Sequence, residues 1–245
     1  IAKNPQTFKG VLCGYPQLDD KTNGFFGGEL IIIAGFEGTG KSLLAMNMAI
    51  NSWLASNRFD QNQDSFADDG GNVLYFTLEM PRSNRGTLSS AAYLNKRIMA
   101  CVAGVSFNDL RKGFLVNTEL DKFKSACEFV EKYDKFKKLY VVDIPRGATL
   151  NDIELKFLEL QELFKIDLVV IDYIGLMEGA DPDEADWKEQ GNLAAGLHEM
   201  ARIYNVPIIS PVQVNRPSGT NHSLNKQNYN TTRIARSGMI TQNAN

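Results

Sequence analysis

Residues 30–42 read LIIIAGFEGTGKS, an apolar run followed by a glycine loop, Gly35, Gly40, Lys41 and Ser42 holding the fixed places of G-x-x-x-x-G-K-S. The spacing has a chemical reason. Glycines let the backbone curl so that successive N–H groups, here those of Glu37, Gly38, Thr39 and Gly40, converge on phosphate oxygens. A helix opening behind the loop adds the positive end of its dipole. Lys41 is placed to meet the β- and γ-phosphates of a nucleotide such as ATP, and the Ser42 hydroxyl to ligate Mg²⁺. The context suits this reading: Leu30, Ile31, Ile32, Ile33 and Ala34 predict a buried strand, and LLAMNMAINSWLAS predicts the following helix over residues 43–56.

Working outward, apolar runs recur at residues 73–76, 139–143, 168–171 and 206–212, and helical periodicity falls between them at 83–96, 118–133, 150–164 and 188–204. The segment between the helices predicted at 83–96 and 118–133 is ambiguous. Strands alternating with helices, each strand apolar throughout, predict an α/β fold: a mostly parallel twisted sheet with helices on both faces. Ligands of such sheets bind beyond the carboxyl ends of the strands. Gly35, Glu79, Asp172 and Gln213 all fall at such ends. Residues 1–28, polar and glycine-rich, read as a leading segment or linker. Residues 29–245 read as the nucleotide-binding unit, and a chain that opens on Ile1 reads as part of a longer protein.

Composition sets bounds. The chain has 245 residues, 43% of them hydrophobic and 22% charged, with a net charge of −3. No global basic footprint exists, so a nucleic-acid surface must be local. No apolar run approaches about 18 residues, which predicts no membrane span. Three scattered cysteines, Cys13, Cys101 and Cys127, without a C-x-x-C pair point to reduced thiols and a cytoplasmic location. Two histidines give no basis for a zinc site.

Asp172 ends an apolar strand, the Walker B arrangement of a carboxylate near Mg²⁺. Glu79 follows the neighbouring strand, where a carboxylate can take a proton from water attacking the γ-phosphate.

TLEM at residues 77–80, VVIDYIGLM at 169–177 and NVPIISPVQVNR at 205–216 resemble the ATPase domain of DnaB-type replicative DNA helicases. GYPQLDDKTNGFFGGELIIIAG at 14–35 and SGMITQNAN at 237–245 resemble the same domain, and the likeness runs through nearly the whole chain in order. It implies a RecA-like core, with Glu79 as catalytic carboxylate, Lys41 on the phosphates, Gln213 as polar sensor of the γ-phosphate, and Ser42 with Asp172 at the metal. It also implies a ring homo-hexamer with ATP sites between subunits, moving 5′ to 3′ on single-stranded DNA, with a primase and a helicase loader as partners. The family's central DNA-binding loop aligns with Ile234, Ala235, Arg236, Ser237 and Gly238, where the arginine is displaced by one position. Residues 215–245 carry Arg216, Lys226, Arg233 and Arg236 and no acid, so Lys226, Arg233, Arg236, Ser237 and Gly238 are the candidate DNA contacts. The acidic stretch with Asp181, Asp183, Glu184 and Asp186 is excluded from that path. The resemblance places the arginine donated between subunits beyond Asn245. Two other readings share the loop: a recombination or repair ATPase of the RecA/RadA kind, and a slow nucleotide-switched scaffold or loader.

Overall fold

The computed structural model describes residues 10–54, 70–78, 90–179 and 186–214. Among the described residues, five strands are joined by helices. They are β1 (Leu30–Gly35), β2 (Val73–Thr77), β3 (Leu139–Asp143), β4 (Leu168–Asp172) and β5 (Ile208–Gln213). They form one sheet in the order β1-β5-β4-β2-β3. Every pairing is parallel. The predicted α/β architecture is therefore present.

Periodicity explains the two faces. Side chains alternate along a strand. In β4, Val169 and Ile171 join one hydrophobic core with the helices α6 (Leu150–Gln161) and α7 (Asp186–Tyr204). Leu168 and Val170 join the other, with α2 (Lys41–Leu54), α3 (Ser90–Ala103) and α5 (Asn117–Tyr133). Two apolar faces demand a continuous apolar strand, and β2 and β4 are buried along their whole length. Each buried aliphatic or aromatic side chain contributes about 1.5–3 kcal/mol of transfer free energy.

Several elements differ from their sequence-based bounds. A short helix, α1 (Pro16–Thr22), stands in the stretch that reads from sequence as a leading segment or linker. It has no fully buried residue and so shows little periodicity; Pro16 starts it, and Asn23 closes it in the left-handed conformation. The ambiguous stretch contains α4 (Phe107–Lys112), capped by the Ser106 side chain, which accepts the Asp109 N–H, and ended at Gly113. Helix α3 runs on to Ala103, past the predicted end at residue 96, because Ile98 and Val102 pack into the α2 side of the core.

The stretch from Gly10 is tied to α2. Ser52 Oγ donates to Leu12 O at 2.7 Å, and Asn51 Nδ2 donates to Cys13 O at 2.9 Å. Val11 and Phe25 form an antiparallel bridge. No described helix is long and apolar enough to cross a membrane.

Candidate nucleotide site

The loop of residues 35–42 leaves β1 and enters α2. Gly38 and Gly40 have φ of 75° and 88°, a backbone region that favours glycine. A Cβ built on either meets nothing within 4 Å, so the space before them is open. Gly35 needs to be glycine for a different reason. A Cβ there would lie 2.8 Å from Thr39 Oγ1 and 3.3 Å from Lys41 Cγ. The curl is held by one carbonyl, Phe36 O. It accepts from Thr39 N at 3.3 Å, from Thr39 Oγ1 at 2.7 Å and from Lys41 Nζ at 2.9 Å. Glu37, Gly38 and Thr39 are exposed, and Gly40, Lys41 and Ser42 are half-buried. The result is a glycine cradle, open in front, with a cationic amine at its side.

Sheet register brings the strand ends to this cradle. Gly35 pairs with Gln213, and Thr77 pairs with Asp172 on one side and Asp143 on the other. The ladder continues past these residues: Val214 N donates to Gly35 O at 3.0 Å, and Leu78 N to Asp172 O at 2.8 Å. Asp172 is buried, at 6% exposure. A buried charge is tolerated only with hydrogen-bond donors. Ser42 Oγ supplies one, 2.9 Å from Asp172 Oδ1. Tyr75 OH supplies another, 2.8 Å from Asp172 Oδ2. Gln213, at the exposed end of β5, stands beside the loop's first residue.

The predicted set is thus partly assembled. Gly35, Glu37, Gly38, Thr39, Gly40, Lys41, Ser42, Asp172 and Gln213 are gathered at the carboxyl edge of the sheet. Glu79 lies just outside the described residues, as do Lys226, Arg233, Arg236, Ser237 and Gly238. Most of the acidic stretch, residues 180–185, lies outside them too. Sequence alone does not single out Tyr75. Its signal was a hydroxyl-bearing residue within an otherwise apolar buried run, but its partner is set by register.

Among the described residues no group of three or more His, Cys, Asp or Glu gathers around a metal position. The pair at hand is oxygen-only, one hydroxyl and one carboxylate. That set fits Mg²⁺, which keeps several waters and takes substrate phosphate oxygens beside one or two carboxylates.

Comparison with known proteins agrees with this geometry. Residues 10–245 match the family model described as DnaB-like helicase C terminal domain. The chain is 30% identical over 216 residues to the replicative DNA helicase DnaB of Treponema pallidum (strain Nichols), covering 88% of this chain and 43% of that protein. To the DnaB of Helicobacter pylori (strain ATCC 700392 / 26695) it is 28% identical over 208 residues, with coverage of 84% and 37%. Two solved structures superpose with a TM-score of 0.72 at 20% identity. One is the ATPase domain of G40P, with 96% of this chain and 74% of that one covered. The other is a DnaB-like replicative helicase described with its interactions with primase, with coverage of 97% and 50%. These likenesses establish the fold as the RecA-like ATPase core. The chain spans less than half the length of these two curated relatives.

Proposed function

We propose, from the premise that this chain belongs to the DnaB-like helicase C-terminal domain family, that it is the ATP-hydrolysing motor of a replicative DNA helicase. The observation that carries the reading is the 2.9 Å approach of Ser42 Oγ to Asp172 Oδ1 beside the open glycine cradle. It joins the loop to the strand-end carboxylate at one point, where phosphates and a hard cation would meet.

In this reading the loop N–H groups and Lys41 hold the ATP phosphates. Ser42 and Asp172 hold Mg²⁺, which when bound offsets the charge developing on the phosphate oxygens. Glu79, following Leu78 at the end of β2, accepts the proton of the attacking water, and Gln213 senses the γ-phosphate. Single-stranded DNA is contacted by the local basic stretch of Lys226, Arg233 and Arg236 with Ser237 and Gly238. The motor works in the cytoplasm as a ring homo-hexamer, moves 5′ to 3′, and has a primase and a loader as partners. Residues 1–28 lead into the ATPase unit of residues 29–245. Family likeness supports this wider assignment, and the site geometry supports the chemistry.

The test is unwinding of a forked DNA duplex by the full-length protein, with ATP turnover measured alongside. Unwinding that needs ATP, Mg²⁺ and a 5′ single-stranded arm, by particles seen as closed rings in electron microscopy, is the expected result. Open filaments on DNA without unwinding would overturn it in favour of a recombinase-like ATPase. Nucleotide binding with neither unwinding nor turnover above a few per hour would overturn it in favour of a switch.

A further inference from the structure

Groups outside the phosphate loop hold Asp172 in two ways, one at its carboxylate and one at the backbone that flanks it. Its Oδ2 accepts a hydrogen bond from Tyr75 OH at 2.8 Å, and Tyr75 is fully buried, at 0% exposure. Tyrosine at this place carries a hydroxyl into a core where phenylalanine would fill the same volume. A buried hydroxyl without a partner is costly, and the register supplies the partner. Tyr75 pairs with Val170 in β4, two residues before the pairing of Thr77 with Asp172. Tyr75, Val170 and Asp172 therefore face the same side of the sheet, the side covered by α2.

The backbone on either side of Asp172 and Tyr173 is gripped from the opposite face. Ser210, in β5 and also 0% exposed, donates from Oγ to Ile171 O at 2.8 Å. The same oxygen accepts the Ile174 N–H at 3.2 Å. These two backbone groups flank Asp172 and Tyr173, so one hydroxyl spans the turn that carries the carboxylate out of β4.

We propose that Tyr75 and Ser210 are positioning residues that orient Asp172, so that only Oδ1 is offered to Ser42 and to the metal. With Oδ2 engaged in the core, rotation of the carboxylate about its Cβ–Cγ bond would break the Tyr75 bond. With the flanking backbone pinned, the strand end cannot retreat from α2. Groups of this kind tune a metal site through its ligands. The inference rests on the nucleotide-site reading above and adds the source of its preorganisation.

The experiment measures Mg²⁺-dependent tightening of a fluorescent ATP analogue on the full-length protein, together with the Mg²⁺ dependence of turnover. Tyr75→Phe keeps the ring and removes the hydroxyl; Ser210→Ala removes the other. Tyr140→Phe, at a 44%-exposed site on β3 away from the loop, serves as control. Both site variants are expected to bind the analogue in EDTA within about twofold of wild type and to need roughly 10-fold more Mg²⁺ for half-maximal tightening. The control should match wild type in both. A Mg²⁺ requirement within twofold of wild type in Tyr75→Phe and Ser210→Ala would overturn the inference while leaving the nucleotide site intact. Equal weakening with and without Mg²⁺ would also overturn it, since the residues would then serve the loop or the fold. A wild-type protein that binds no nucleotide under any condition would overturn the site reading, and this inference with it.

Discussion

Ser42 Oγ and Asp172 Oδ1 lie 2.9 Å apart although 130 positions separate them in sequence. The contact crosses a strand. Ser42 follows β1, Asp172 ends β4, and β5 runs between them in the sheet. Helix α2 makes this possible by lying over β5 and β4 on one face, so its first turn reaches the end of β4. Phosphate loop and strand-end carboxylate are thus joined by a single helix crossing, and the predictions for the site follow from that join.

Lys41→Ala should abolish ATP turnover and spare the fold. Among the described residues, Lys41 Nζ bonds only within its own loop, to Phe36 O. On the substrate it would supply a point charge at the transferred phosphoryl group. Loss of such a group costs about 10²-fold or more in rate. Steady-state phosphate release and a circular-dichroism melt check both halves. Near-wild-type turnover would show that the cradle is not the working site.

Glu79→Gln should separate binding from chemistry. The substitution keeps the shape and removes the proton acceptor. Affinity for ATP should persist while turnover falls by about 10²-fold, corresponding to roughly 3 kcal/mol of barrier. Equilibrium binding of labelled ATP, set beside single-turnover hydrolysis, decides it. Lost affinity with unchanged turnover per bound ATP would make Glu79 a binding residue instead.

The parts of this molecule that were legible in sequence are those whose signal is local. The bounds of β3, and β1 with its loop over thirteen residues of strand and motif, are legible because apolar runs and fixed glycine spacing need no knowledge of distant partners. Asp172 was readable for the same reason. The Tyr75–Asp172 bond was not, because it depends on Tyr75 facing Val170 across β2 and β4. Nor was the Ser210 grip on Ile171 and Ile174, which depends on the adjacency of β4 and β5. Helix α1 carries little such signal, because PQLDDKT has no fully buried residue and only Leu18 packs, half-buried, against the core. Its Asp19 bonds backward instead, to Cys13 N and Gly14 N at 2.9 Å each.

Thr149→Ala should destabilise α6 without touching the nucleotide site. Thr149 Oγ1 accepts the Asp152 N–H at 3.3 Å, while Asp152 Oδ2 accepts from Thr149 N at 2.8 Å. This is a reciprocal cap on the helix that covers the far face of the sheet. Loss of a threonine cap costs about 1 kcal/mol of stability, to be read from urea unfolding at neutral pH. The bonds to the Thr149 backbone and then to its side chain hold the Asp152 carboxyl below its ordinary 3.8. Its contribution is therefore full above that value and is lost as pH falls through the lowered one. The gap between wild type and Asp152→Asn should close in acid, and a gap that stays constant to pH 2 would count against the capping role.

The last prediction concerns Cys13, the thiol beneath α1. It has no accessible surface, and its Sγ donates to Asp19 Oδ1 at 3.0 Å. Burial first, and the bond to Asp19 second, push its pKa from 9.0 to about 12. In the native protein at pH 8 a thiol reagent should therefore modify exposed Cys127 first. Cys13 should react only once the chain is unfolded. The same shift sets a pH dependence. The folded pKa lies above the unfolded one, so the contribution of the buried thiol is complete below about pH 9. Above that pH the unfolded chain ionises while the native one does not, and the contribution is lost as pH climbs towards 12. Cys13→Ser keeps a donor for Asp19 but does not ionise in this range. Urea midpoints measured from pH 8 to 10.5 should thus fall more steeply for wild type than for Cys13→Ser. Parallel slopes, or rapid labelling of Cys13 in the native state, would mean that the Asp19 pocket opens on the timescale of the reagent and that α1 is not fixed over it.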